Sequence, residues 1–288
     1  MERDREQAHE YAQQIVLAHP ALVEFRDRVG VVLSGSRAVG YHVPSSDYDF
    51  VVLCDRETYA QIAGKAGVES TVTSVDLFVD MQRVRQETGM DLDLNVFESA
   101  RVERGLAEFK DVLLWIWTHA RPLHDPTGII QRLQAGIAAY PREVLYQKLV
   151  RHYLMDFHLS VHGITYRYES QNLFSVVHTL GAKIAEYCRM CCLLDGRPYP
   201  YEKWLLRACR ETTTGARLAP YLERALHHVT HLGDDLVENA ERVRQAVYAL
   251  DTEACDVLEE AMVAWGFDQA WLENAYSCLS DVLFEHPP

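Results

Sequence analysis

The sixteen residues Gly35–Phe50 leave this chain few choices of fold. Just before them, Gly30-Val-Val-Leu33 is a β-branched apolar run, the composition of a strand buried on both faces. The run ends at Ser34-Gly35-Ser36, where a glycine lets the backbone approach a ligand closely. Ser36 adds N–H and hydroxyl donors suited to phosphate oxygens. Gly40, Pro44, Ser45 and Ser46 then supply turn chemistry before a second strand, Asp47-Tyr-Asp-Phe-Val-Val-Leu53. Side chains alternate along a strand, so Asp47 and Asp49 share one face, roughly 6–7 Å apart, and Tyr48 and Phe50 share the other. Paired carboxylates are hard oxygen ligands of the kind that hold Mg²⁺ together with substrate phosphates. A phosphate-handling turn beside such a strand reads as a phosphoryl-group site.

The spacing Gly-Ser, ten residues, Asp-x-Asp, flanked by apolar strands, resembles the signature of the DNA polymerase β-like nucleotidyltransferase superfamily. Within it, the run is most similar to the small bacterial antibiotic nucleotidyltransferases that act on aminoglycosides or lincosamides. The resemblance implies an α/β (α+β) catalytic domain with a small mixed sheet, followed by an all-α helical-bundle domain. It also implies transfer of a nucleoside monophosphate from an NTP, ATP first among them, to a hydroxyl of a small acceptor, and a place in antibiotic resistance. Two Mg²⁺ ions about 3.5–4 Å apart would clamp the attacking and leaving oxygens. Gly35 and Ser36 would fix the β- and γ-phosphates, with Arg37 and Ser46 beside them in the nucleotide site. Arg37 is the one cationic residue between Gly35 and Asp49, so nucleotide binding should depend on a divalent ion.

Members of this superfamily take a third carboxylate from a neighbouring strand. Met90-Asp-Leu-Asp-Leu-Asn-Val-Phe97 alternates almost strictly, with Asp91, Asp93 and Asn95 on one face. By resemblance the third ligand is Asp93, with Asp91 next and Asp76 third. Asp76 lies in a further alternating stretch, Val72–Val79, and Arg56–Ala66 between the strands reads as helix.

Strand signals vanish after Gly105, and Arg121-Pro-Leu-His-Asp-Pro-Thr-Gly128 reads as a loop. The expected domains are therefore residues 1–122, catalytic, and residues 123–288, helical and substrate-binding. Pro141 opens a long helix, and a second carries Leu173, Val177, Leu180, Ile184, Tyr187, Cys188, Cys191 and Leu194 before stopping at Asp195-Gly196. Helical segments around 201–210, 218–230, 235–249 and 252–284 follow. Tyr199-Pro-Tyr-Glu-Lys-Trp204 is similar to a run found on the helical side of some relatives, which makes Lys203 a candidate to reach the triphosphate. Lys183 is a second. Glu143, Asp156, Glu169 and Glu186 all qualify by type as a base for the acceptor hydroxyl, and the sequence does not choose among them. The aromatics and carboxylates between Tyr140 and Glu186 favour a small cationic or amphipathic acceptor lodged between the domains.

A formal net charge of −14 argues against gripping a nucleic-acid backbone, which needs clustered Lys and Arg. No apolar run of membrane-spanning length occurs and no signal segment opens the chain, so the expected place is the cytoplasm; a homodimer is compatible with the sequence. Cys188-x-x-Cys191-Cys192 falls on an apolar helix stripe without a second ligand pair, which favours buried thiols. His227 and His231 read as surface residues and His124-Asp125 as a loop cap. Two other functions remain open: a protein-adenylylating enzyme of the toxin–antitoxin type, and a catalytically inactive nucleotide-binding module. The intact Asp47/Asp49 pair opposes the second, because like charges have no reason to stay together unneutralised.

Overall fold

The computed structural model describes residues 2–77, 84–86, 89, 91–158, 173–233 and 236–275, and divides the chain into two compact units, Met1–Ala138 and Ala139–Pro288. In the first unit, α1 (Glu2–Tyr11) runs on through a π turn at Ala12–Val16, and a 3₁₀ turn spans Val23–Arg28. There follow β1 (Gly30–Ser34), α2 (Gly35–Val39), β2 (Tyr48–Cys54), α3 (Arg56–Lys65), β3 (Val75–Asp76), β4 (Leu92–Glu98), α4 (Ser99–Ala107), α5 (Asp111–His119), β5 (Arg121–His124) and α6 (Ile129–Ala135). The five strands form one mixed sheet in the order β3-β4-β2-β1-β5, with β2 and β4 parallel and the other neighbours antiparallel.

Alternation decides which way β2 and β4 face. Tyr48, Phe50 and Val52 on β2, and Leu92, Leu94 and Val96 on β4, sink into a core shared with Ala8, Val16, Leu22 and Phe25. That leaves Asp49 and Val51, and Asp93 and Asn95, on the more open face.

The stretch expected to be a loop at Arg121–Gly128 begins instead as β5, paired antiparallel to β1. Only four residues long and carrying Pro122, this edge strand has no periodicity to betray it; proline is tolerated there because one side of an edge strand needs no N–H donor. The first unit consequently continues through α6 to Ala138, past the expected boundary at residue 122. Of the strand expected at Val72–Val79, Val75–Asp76 forms, and Phe78 and Val79 lie outside the described residues.

The second unit is helical throughout its described residues: α7 (Arg142–His158), α8 (Leu173–Leu194), α9 (Glu202–Arg210), α10 (Thr213–Thr230), α11 (Leu236–Tyr248), a π segment at Ala249–Ala254, α12 (Cys255–Trp265) and α13 (Gln269–Glu273). The single helix expected over 252–284 breaks at Gly266, whose φ of 122° no helix can contain, and restarts where Asp268 caps α13 through the N–H of Ala270. A second core, centred on Leu149, Tyr153, Leu180, Tyr187, Leu222 and Leu258, holds these helices together.

Candidate metal centre on the sheet

Parallel pairing sets Asp49 of β2 directly beside Asp93 of β4 in register. Neighbouring residues of adjacent strands project from the same face, so the two carboxylates converge without any loop having to place them. Asp47 precedes β2 by one residue and joins them: one ligand oxygen from each of Asp47, Asp49 and Asp93 lies within 4.8 Å of the others. Asp47 and Asp49 are half-buried and Asp93 is exposed. Among the described residues this is the one set of three or more His, Cys, Asp or Glu side chains so gathered.

Asp91 and Asp76, the competing choices for the third ligand, stand apart from this set. Asp91 faces Arg85 at 3.6 Å, while its carbonyl takes the N–H of Tyr48 at 3.0 Å and so ties the start of β2 to β4. Asp76 sits on the exposed end of β3 opposite Asn95.

Gly35 makes the room for Asp49. It adopts φ +65°, and a Cβ built on it would lie 1.7 Å from Asp49 Oδ2 and 2.5 Å from Cγ. Glycine is required there twice over, by the left-handed backbone and by the carboxylate pressed against its Cα.

Arg37, expected in the nucleotide site, braces the loop that carries Asp47. It is buried, its Nε donates to the carbonyls of Ser46 at 3.1 Å and Asp47 at 3.0 Å, and its Nη2 reaches the Ser46 carbonyl at 2.7 Å. Its guanidinium also lies 4.1 Å from the centroid of Tyr48. These donors fix the backbone that carries Asp47. Tyr48 completes the brace from the opposite face, edge-on to Tyr11 at 5.1 Å and donating to Gln7 Oε1 at 3.1 Å. Sequence reasoning missed this brace, because nothing in the spacing of Gln7, Tyr11, Arg37 and Tyr48 announces that they meet. Ser46 uses its hydroxyl to accept the N–H of Val43 at 3.0 Å, closing the turn before Asp47. Ser36 is buried in α2, where its carbonyl accepts the N–H of Tyr41.

The two lysines lie in the second unit and find other partners. Lys183 is 3% exposed, and its ammonium is 2.8 Å from Asp251 Oδ1. Burial pushes the Asp251 carboxyl up, and Lys183 only partly opposes it. Here Lys183 serves as a buried counterion. Lys203 is exposed on α9 with its Nζ 4.2 Å from the Trp204 ring centroid.

Of the four carboxylates considered as a base, Glu143 is exposed and accepts from Gln147, and Glu186 is buried between His152 Nδ1 and Arg189. Glu169 and the side chain of Asp156 lie outside the described residues. Burial by itself would raise the Glu186 carboxyl, but the hydrogen bond from His152 and the charges of His152 and Arg189 outweigh it and hold it below the usual range. Asp125 caps α6 through the N–H groups of Ile130 and Gln131, and His124 bonds the Arg26 carbonyl.

Residues 108–205 match the family model described as a domain of unknown function, DUF4037, about a third of the chain. No curated protein matches the sequence. Among solved structures, the chain is similar to a nucleotidyltransferase-like protein from Exiguobacterium sibiricum at 11% identity and a TM-score of 0.44, over 96% of this chain and 91% of that one.

Proposed function

We propose that the protein is a divalent-metal-dependent nucleotidyltransferase, moving a nucleoside monophosphate, AMP first among the candidates, from an NTP to a hydroxyl of a small-molecule acceptor. The observation that carries this reading is the convergence of Asp47, Asp49 and Asp93 within 4.8 Å beside a glycine turn. Three carboxylates this close repel one another, and a hard cation is the partner that oxygen donors of this type and number favour. Mg²⁺ held there would offset charge on the phosphates and lower the cost of the in-line displacement.

The chain's own residues do the positioning. Asp49 and Asp93 are fixed by strand register, and Asp47 by Arg37 gripping its carbonyl. The open backbone at Gly35 and the N–H groups that follow it offer donors to the triphosphate. Catalysis on this reading rests on placement and electrostatics, with no covalent intermediate on the protein. An acceptor of cationic, antibiotic-like character suits a chain of net charge −14.

Labelled ATP and other NTPs, incubated with the protein and Mg²⁺ against aminoglycosides, lincosamides and cell extract, test the reading. Label should pass to an acceptor only with the divalent ion present, and Asp49→Asn should lower the rate at least about 100-fold, the order lost when a group stabilising transition-state charge is removed. Turnover by Asp49→Asn near the parent rate would sink the metal assignment, and label on protein alone would move the acceptor class to a polypeptide.

A further inference from the structure

Tyr48 stands between two of the converging aspartates in sequence, yet its side chain lies on the other face of β2, in the core, at 1% exposure. Its ring is the surface on which the Arg37 guanidinium rests, 4.1 Å from the centroid, while Arg37 holds the carbonyls of Ser46 and Asp47. The far end of the same ring is gripped by α1. There the Tyr48 hydroxyl donates to Gln7 Oε1 at 3.1 Å, and the Gln7 amide donates through Nε2 to the Tyr11 hydroxyl at 2.7 Å. The Tyr11 ring meets Tyr48 edge-on, at 5.1 Å and 84°. A continuous line of contacts thus runs from the first helix to the backbone of Asp47.

This line does more than fill the core. Ala8, Tyr11 and the following Ala12 are the buried residues that anchor the helix, and Gln7 is exposed beside them. A phenylalanine at position 48 would occupy nearly the same volume and need no partner, so the hydroxyl and its glutamine add direction to the packing. Direction matters at Asp47, which precedes β2 and lies outside the strand register that fixes Asp49 and Asp93. We propose, resting on the reading of Asp47, Asp49 and Asp93 as a divalent-ion site, that Gln7 of α1 is a positioning residue for that site. Set in place by Tyr11, it holds Tyr48 so that Arg37 keeps Asp47 where the other two carboxylates meet it.

Ions differ in how much they feel a displaced ligand. Mg²⁺ demands near-ideal octahedral geometry at short oxygen distances, whereas Ca²⁺ accepts more oxygens in a flexible arrangement. Loosening Asp47 therefore costs Mg²⁺ more than Ca²⁺, a signature that general damage to the fold does not produce.

Mn²⁺ binding to the full-length protein, followed by loss of the free-ion electron paramagnetic resonance signal with Mg²⁺ and Ca²⁺ as displacing ions, tests the role. Gln7→Leu breaks the grip from the helix and Tyr48→Phe breaks it from the strand. Losing an outer-shell partner of a ligand costs about 10- to 100-fold in affinity; these variants act further out and should weaken Mg²⁺ about 3- to 10-fold and Ca²⁺ less than about twofold. Tyr48→Phe leaves no hydroxyl in search of a partner, so its melting temperature in metal-free buffer should stay within about 2 °C of the parent. Gln7→Glu, whose two oxygens can accept from both tyrosine hydroxyls, should restore the parent ratio of Mg²⁺ to Ca²⁺ affinity, because its added charge favours both ions alike. Parent affinities in both Gln7→Leu and Tyr48→Phe overturn the proposal, as does an equal loss of Mg²⁺ and Ca²⁺ with a lowered melting temperature. Mn²⁺ bound no better by the parent than by Asp49→Asn overturns the metal reading, and the proposal with it.

Discussion

At the scale of single residues the site depends on an absence, the missing side chain of Gly35. Gly35→Ala would meet two penalties: left-handed backbone, and collision with Asp49 Oδ2 and Cγ. The variant should lose about 1–3 kcal/mol of stability, in the range of a strained backbone position, and most of its NTP turnover. In an Asp49→Ala background the carboxylate is gone and strain alone remains, so the same substitution should then cost measurably less. A thermal-denaturation double-mutant cycle reads that coupling, and additive losses would show that Gly35 and Asp49 do not press on each other. The pair Asp47 and Asp49 was legible from sequence because strand alternation is a hard rule. The bracing part of Arg37 was not legible, because charge alone says nothing about direction: the guanidinium turns inward to the carbonyls of Ser46 and Asp47.

At the scale of elements, Glu186 on α8 ties three helices, through His152 of α7, Arg189 of its own helix, and Arg189's second contact at 2.7 Å with Glu202 of α9. Its carboxyl is held below its ordinary 4.5 in the folded state, so it contributes stability that is full above about that pH. That stability is lost as pH falls through the lower folded-state value. Glu186→Gln should therefore be less stable than the parent at neutral pH, and the gap should close as denaturation is followed from pH 6 down toward pH 3. A constant gap across that range would leave the network without an ionic share in stability. Asp251, raised by burial, works with the opposite sign, because acid relieves the cost of its charge. Elements with sustained periodicity, β2, β4 and α8, could be read from sequence. β5 could not, since four edge residues with one proline and one buried apolar side chain carry no period, and its existence is decided by the open flank of β1.

At the scale of the whole molecule, two cores built from different architectures serve one acidic chain of net charge −14. No helix among the described residues is long and apolar enough to cross a membrane. With three converging carboxylates, binding should couple ion to nucleotide: Mg²⁺ or Mn²⁺ with NTP should raise the melting temperature well above either alone, by about 2–4 °C for each kcal/mol of linkage. Equal stabilisation by NTP in excess chelator would contradict this. Asp47→Asn, with one charge removed, should melt no lower than the parent in metal-free buffer. The parallel pairing of β2 with β4 also has a consequence in time. Asp93 follows Asp49 by forty-four residues, and the two meet only when β4 has crossed over to lie alongside β2. A nascent chain stalled between Asp49 and Asp93 carries two of the three donors and holds a cation poorly. Once Glu98 has cleared the ribosome the set can close, before β5 has emerged to pair with β1 and before the second unit can fold, so the growing polypeptide should acquire its grip on the ion partway through its own synthesis.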